Sequence, residues 1–219
     1  MILCHRQRFI LFCNPGTGTG PVLRLLAPWA DETLTEYRDL SPERPFHHLM
    51  SPAQMAAVFA ARGWEFDDYR RITLVMNPFT RLQGLYRRVA DTDPLWRQMR
   101  SAGLGQPAFG PWLRSTRPEG PGAGGRPWEL WRRFGTWTAA AWGDGLVTDW
   151  IRAETMAQDL PPLFAALGID PGPVPPPIPD PGQAWATVYD GPTAQLVARR
   201  YASDLARFCY HHPVLDWVS

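Results

Sequence analysis

The 219-residue chain contains no lysine; all 22 of its basic residues are arginine. That absence removes every reaction that needs an ammonium side chain, including the phosphate-gripping lysine of a nucleotide P-loop. Cysteine is scarce as well. Cys4, Cys13 and Cys209 are too few and too scattered for a disulfide framework or a zinc ribbon, and a reducing, cytoplasmic setting is the expectation. Long apolar runs are missing: residues 9–13 fall far short of a membrane span or a signal-peptide core, so no membrane insertion is expected. Net charge is nearly absent, with 22 Arg against 21 Asp and Glu, so bulk electrostatics recruit neither nucleic acid nor anionic membrane. The five histidines lack third and fourth ligands at metal-site spacing, and no metal is expected.

At 45% hydrophobic residues the chain suits one domain over residues 1–219, large enough to fold around its own core. Residues 8–13 (RFILFC) form a short apolar run that breaks at Asn14-Pro15-Gly16, the pattern of a strand entering a turn. Pro21 followed by Val22, Leu23, Leu25 and Leu26 opens a helix directly behind Gly20. Ser51-Pro52-Ala53-Gln54 combines an N-cap serine, a first-turn proline and a glutamine three residues on, and predicts a helix that stops at Gly63. Residues 69–76 predict a second buried strand, broken at Asn77-Pro78. Leu82, Leu85, Tyr86 and Val89 then recur at helical spacing. Further helices are expected over residues 128–142, 155–167 and 192–210, and a third strand over 146–151. The glycine- and proline-dense stretches 117–127 and 170–182 are loop excursions, the second in extended, polyproline-like chain.

Two segments carry chemistry. In NPGTGTG (14–20), three closely spaced glycines admit positive φ and let successive N–H groups point into one hollow, with Thr17 and Thr19 as hydroxyl donors. Set before a helix, such a loop binds a phosphate or sulfate oxygen; without a ligand it is a tight strand–helix turn. It is neither G-x-x-x-x-G-K-[ST] nor a dinucleotide fingerprint, because Pro21 stands where the third glycine of G-x-G-x-x-G belongs. The second segment, VMNPFTRLQGLY (75–86), breaks a buried strand and feeds a helix whose first turn holds Arg81.

Together these segments resemble the sulfotransferase family, in particular its bacterial and carbohydrate-type branch. That family has a P-K-T-[AG]-G-T-S loop after a strand and, about sixty residues later, V-R-N-P-[YF]-x-R-L-x-S-x-Y; the counterparts here are residues 15–21 and 75–86. Looser likenesses are His47-His48 ahead of the capped helix, residues 147–160 around Glu154, and YASDLARFCY at 201–210. The resemblance implies a P-loop-like, three-layer α/β fold with a central, mainly parallel sheet flanked by helices. It also implies transfer of a sulfuryl group from 3′-phosphoadenosine 5′-phosphosulfate (PAPS, leaving PAP) to a hydroxyl on a carbohydrate or small metabolite.

Under that reading Gly16, Thr17, Gly18, Thr19 and Gly20 hold the phosphosulfate, Asn77 and Arg81 organise the 3′-side, and His47 or His48 is the base. Trp128, Trp131 and Trp137 would line the acceptor site, whereas His211-His212 reads as an exposed tail. Three positions depart from the family pattern. Gly16 replaces the loop lysine, and Met76 and Gly84 replace the arginine and serine that hold the 3′-phosphate. Losing one transition-state cation typically costs about two to three orders of magnitude in rate. Arg24 and Arg81 are the guanidinium groups that could stand in. The alternative is a catalytically degenerate relative that keeps the scaffold as a binding or regulatory module.

Overall fold

A computed structural model describes residues 1–120, 136–179 and 188–210. The chain divides into two compact units: Met1–Met76 with Trp142–Pro179, and Asn77–Ala141 with Asp180–Ser219.

The first unit is built on a four-stranded sheet in the order β1-β2-β3-β4, comprising Ile2–Cys4, Phe9–Phe12, Arg70–Val75 and Asp149–Arg152. β1 and β2 are an antiparallel hairpin, paired Leu3 with Ile10. β2, β3 and β4 run parallel, with Leu11 opposite Ile72 and Leu74 opposite Ile151. Every residue of β1 and β2 is buried, which explains why these strands read as continuous apolar runs and not as alternating ones. One pleat face presents Ile2, Cys4, Phe9, Leu11, Ile72, Leu74 and Ile151. Against it pack Val22 and Leu26 of α1 (Gly20–Leu26) and Leu160, Leu163 and Phe164 of a later helix, Met156–Ala166. Helix α2, Pro52–Arg62, has the expected boundaries for the expected reasons. Ser51 accepts from the Gln54 N–H, Gln54 accepts from the Ser51 N–H at 2.9 Å, and Gly63 ends the helix at φ 66°.

The second unit is helical among the described residues: α3 (Pro78–Thr92), α4 (Pro94–Ser101), α5 (Phe109–Ser115) and, late in the chain, Gly191–Arg200 and Ala202–Arg207. A short helix α6, Ala139–Gly143, spans the point where the chain passes from the second unit to the first. In chain order the last three are therefore α7 (Met156–Ala166), α8 (Gly191–Arg200) and α9 (Ala202–Arg207). Asn77, Asp93 and Asp190 cap α3, α4 and α8 through their side chains, each ahead of a proline that gives up no helical hydrogen bond in a first turn. Phe79, Leu82, Phe109, Leu113, Tyr189, Val197, Tyr201 and Leu205 form the core.

The chain thus forms an α/β protein with an open, mainly parallel sheet flanked by helices. Some boundaries differ from expectation. The third parallel strand forms at Asp149–Arg152, because Leu146 and Val147 are only half-buried and their N–H groups bond to Gly143 O in a turn. The helix expected over 192–210 breaks at Tyr201, where φ −113° and ψ 21° leave the helical region. Strand β1 and helices α4 and α5 had no expectation. Residues 121–127 and 180–182 of the two loop excursions, and Trp128, Trp131 and most of the helix expected over 128–142, lie outside the described residues. Within 136–142 the helix begins only at Ala139. No helix among the described residues is long and apolar enough to cross a membrane.

Candidate functional site

The glycine loop leaves the carboxyl end of β2 beside that of β3, its parallel neighbour. The Asn14 side-chain amide donates to Leu74 O at 3.4 Å and ties the two strand ends together. The Asn14 carbonyl then organises the turn, accepting from the Thr17 N–H (3.4 Å) and the Thr17 hydroxyl (2.7 Å). Gly16 and Gly18 sit at φ 80° and 73°, the left-handed region that a side chain disfavours. Because the Thr17 hydroxyl hydrogen is committed to Asn14, the 3.1 Å contact between the two threonine hydroxyls makes Thr19 its donor. Both threonines are buried, and their hydroxyls bond within the turn. The backbone N–H groups of Gly18, Thr19 and Gly20 have no acceptor among the described residues.

A guanidinium stands beside these donors. Arg24, one turn into α1, is exposed and folds back so that Nη1 lies 3.8 Å from where a β-carbon on Gly20 would be. It has no carboxylate partner among the described residues, whereas Arg6, Arg8, Arg70 and Arg71 each pair with an aspartate. Over Gly18 the surroundings are apolar: a β-carbon there would fall on the Ile178 δ-methyl, and Met76 Cε lies 3.6 Å from the same point.

The histidine pair also belongs to the first unit and divides into two environments. His47 is buried at 4% exposure, with its ring edge-on to Tyr37 at 5.0 Å. Burial, with the nearby amino terminus and His48, pushes its pKa down to about 4, so it is neutral and weakly basic at pH 7. His48 is exposed, and its Nε2 lies 3.9 Å from Cys13 Sγ, the residue directly before the loop. The Met1 amine donates to the same sulfur at 2.8 Å and to the His48 carbonyl at 3.4 Å. Burial pushes the Cys13 thiol up, against the opposing effect of that amine. His48, Cys13, the loop and Arg24 are therefore local to one strand end and the helix that follows.

Asn77 and Arg81 belong to the second unit. Asn77 Oδ1 accepts from the Phe79 N–H at 3.1 Å as the α3 cap. Arg81 is 4% exposed and donates to the Trp137 carbonyl at 2.8 Å. Burial pushes its pKa down while Tyr201 and Asp204 oppose that shift. Asp204 accepts the Ala139 N–H with both oxygens, at 3.0 and 2.9 Å, and burial raises its pKa. Trp137, expected to line an acceptor site, is buried in this network. Gly84 lies on an exposed position of α3 with open space where a serine side chain would go. Trp128, Trp131, His211 and His212 lie outside the described residues.

Two features escaped the sequence: the burial difference between adjacent histidines, and the approach of Ile178 to Gly18 across 160 positions. No local pattern signals either. Compared with protein-family models, curated proteins and solved structures, the chain gives no match.

Proposed function

We propose that the protein is a sulfotransferase of P-loop-like, three-layer architecture that binds PAPS and sulfonates an acceptor hydroxyl. The observation that supports this best is the coincidence, at the glycine loop, of three N–H groups with no acceptor among the described residues and the Arg24 guanidinium, which has no carboxylate partner among them. Such donors fit a tetrahedral oxyanion, and arginine offers the positive charge that Gly16 no longer supplies. PAPS, when bound, supplies the electrophilic sulfur and departs as PAP. The chain's own contributions are then positional and electrostatic. Amides 18–20 hold the oxyanion, and Arg24 neutralises charge on the leaving oxygen. His48, which is exposed, accepts the acceptor's proton; His47 is buried and too weak a base for that role.

Calorimetry with PAP on the full chain tests the reading. Micromolar binding supports it, and Arg24→Ala is then expected to weaken binding about ten- to hundredfold, the usual worth of a charge-assisted contact. The degenerate, non-catalytic reading is favoured by the inward threonine hydroxyls and by Ile178 and Met76 over Gly18. No PAP binding at millimolar concentration supports that module instead.

A further inference from the structure

We propose that residues 170–179 form a strap across the carboxyl edge of the sheet, with Ile178 as its plug. A seated strap and a phosphate or sulfate ester in the glycine loop then exclude one another. The identity of the ligand rests on the oxyanion reading above; the strap's contacts do not.

The three parallel strands deliver to that edge the glycine loop after β2, Met76 after β3 and Ala153 after β4. Ile178 reaches the loop and Ala153. Its N–H donates to Ala153 O at 3.0 Å, and its δ-methyl occupies the place of a Gly18 β-carbon. Met76 Cε lies 3.6 Å from that same place. In open α/β sheets this edge is where ligands bind, so the strap lies over the position a ligand of the loop would approach. Gly18 is consequently constrained twice, by its φ of 73° and by the aliphatic side chain packed on it.

The strap's attachment is light. Pro171, Pro173, Pro175, Pro176, Pro177 and Pro179 carry no N–H. Among the described residues, the Ile178–Ala153 bond is the one backbone hydrogen bond joining 170–179 to the rest of its unit. Val174 and Ile178 are half-buried against the core, while Pro173, Pro176, Pro177 and Pro179 are exposed. A proline-stiffened segment held by one hydrogen bond and two aliphatic side chains can lift as a rod while the sheet stays intact.

Residue-resolved amide hydrogen exchange on the full chain tests this directly. In Val174→Ala, which removes one of the strap's two aliphatic contacts with the core, exchange of the Ile178 amide is expected to rise at least about tenfold while β2 and β3 stay protected; unchanged Ile178 exchange overturns the strap. In the unaltered protein, saturating PAP is expected to accelerate exchange of the Ile178 amide. PAP bound with that amide still protected overturns the proposal. Ile178→Ala should also bind PAP about tenfold more tightly, which corresponds to a strap open about one-tenth of the time; equal affinity counts against the proposal. If neither protein binds PAP at millimolar concentration, the oxyanion reading fails, and the Val174→Ala exchange comparison alone decides the strap.

Discussion

His47 shows how burial can separate two adjacent, chemically identical side chains. Its pKa near 4 lies below the ordinary value of 6.5, so protons bind more readily to the unfolded chain. The stability it contributes is complete above pH 6.5 and is lost as the pH falls toward 4. The shift corresponds to about 3 kcal/mol in all, with about 2 kcal/mol lost by pH 5. Urea unfolding at pH 7 and pH 5 should therefore show a smaller acid loss for His47→Gln than for the unaltered protein, and identical losses would contradict the buried neutral ring. His48 is exposed. The dipeptide marked both as candidates for a base; which of them water reaches was not written in it.

Among the elements, those whose ends are fixed by short-range chemistry were legible. The capping box at Ser51 and Gln54 and the glycine at 63 specify α2 without help from the rest of the chain. Asn77-Pro78 likewise stops β3 and starts α3. The strand–glycine loop–helix unit belongs in part to this group, since its backbone could be anticipated but the inward turn of its hydroxyls could not. Two glycines separate the local from the tertiary contribution. Gly63 has positive φ and nothing within 4 Å of a β-carbon, so Gly63→Ala should cost about 1 kcal/mol from backbone strain alone. Gly18→Ala carries similar strain plus the displacement of Ile178 and should cost more, with the excess disappearing in an Ile178→Ala background. Chemical denaturation of the single and double variants measures that excess. Equal costs at the two glycines would remove the contact on which the strap depends. By contrast, the 192–210 helix breaks where the Tyr201 hydroxyl bonds to the Thr136 carbonyl, a long-range contact that periodicity does not encode.

For the whole molecule, the three cysteines report on burial. Cys4 and Cys13 are buried in the first unit, whereas Cys209 is exposed in the second. Native protein should therefore release one rapid equivalent in a thiol-labelling assay, with Cys209 as the labelled site by peptide mapping, and three equivalents in denaturant. Rapid native labelling of Cys13 would contradict its placement behind the glycine loop. Charge is distributed at the same scale. The net +1 conceals nine arginines against thirteen carboxylates in the first unit and thirteen against eight in the second. By itself the sequence determined the α/β class, the two strand–turn–helix units, the caps, and the absence of any ammonium side chain, because those depend on composition and on residues within a few positions of one another. Only the tertiary structure decided that Arg81 is enclosed by the Trp137 carbonyl and that Ile178 lies on Gly18. Those outcomes depend on packing between segments far apart in the chain, and side-chain burial there settles which charges and hydroxyls remain available.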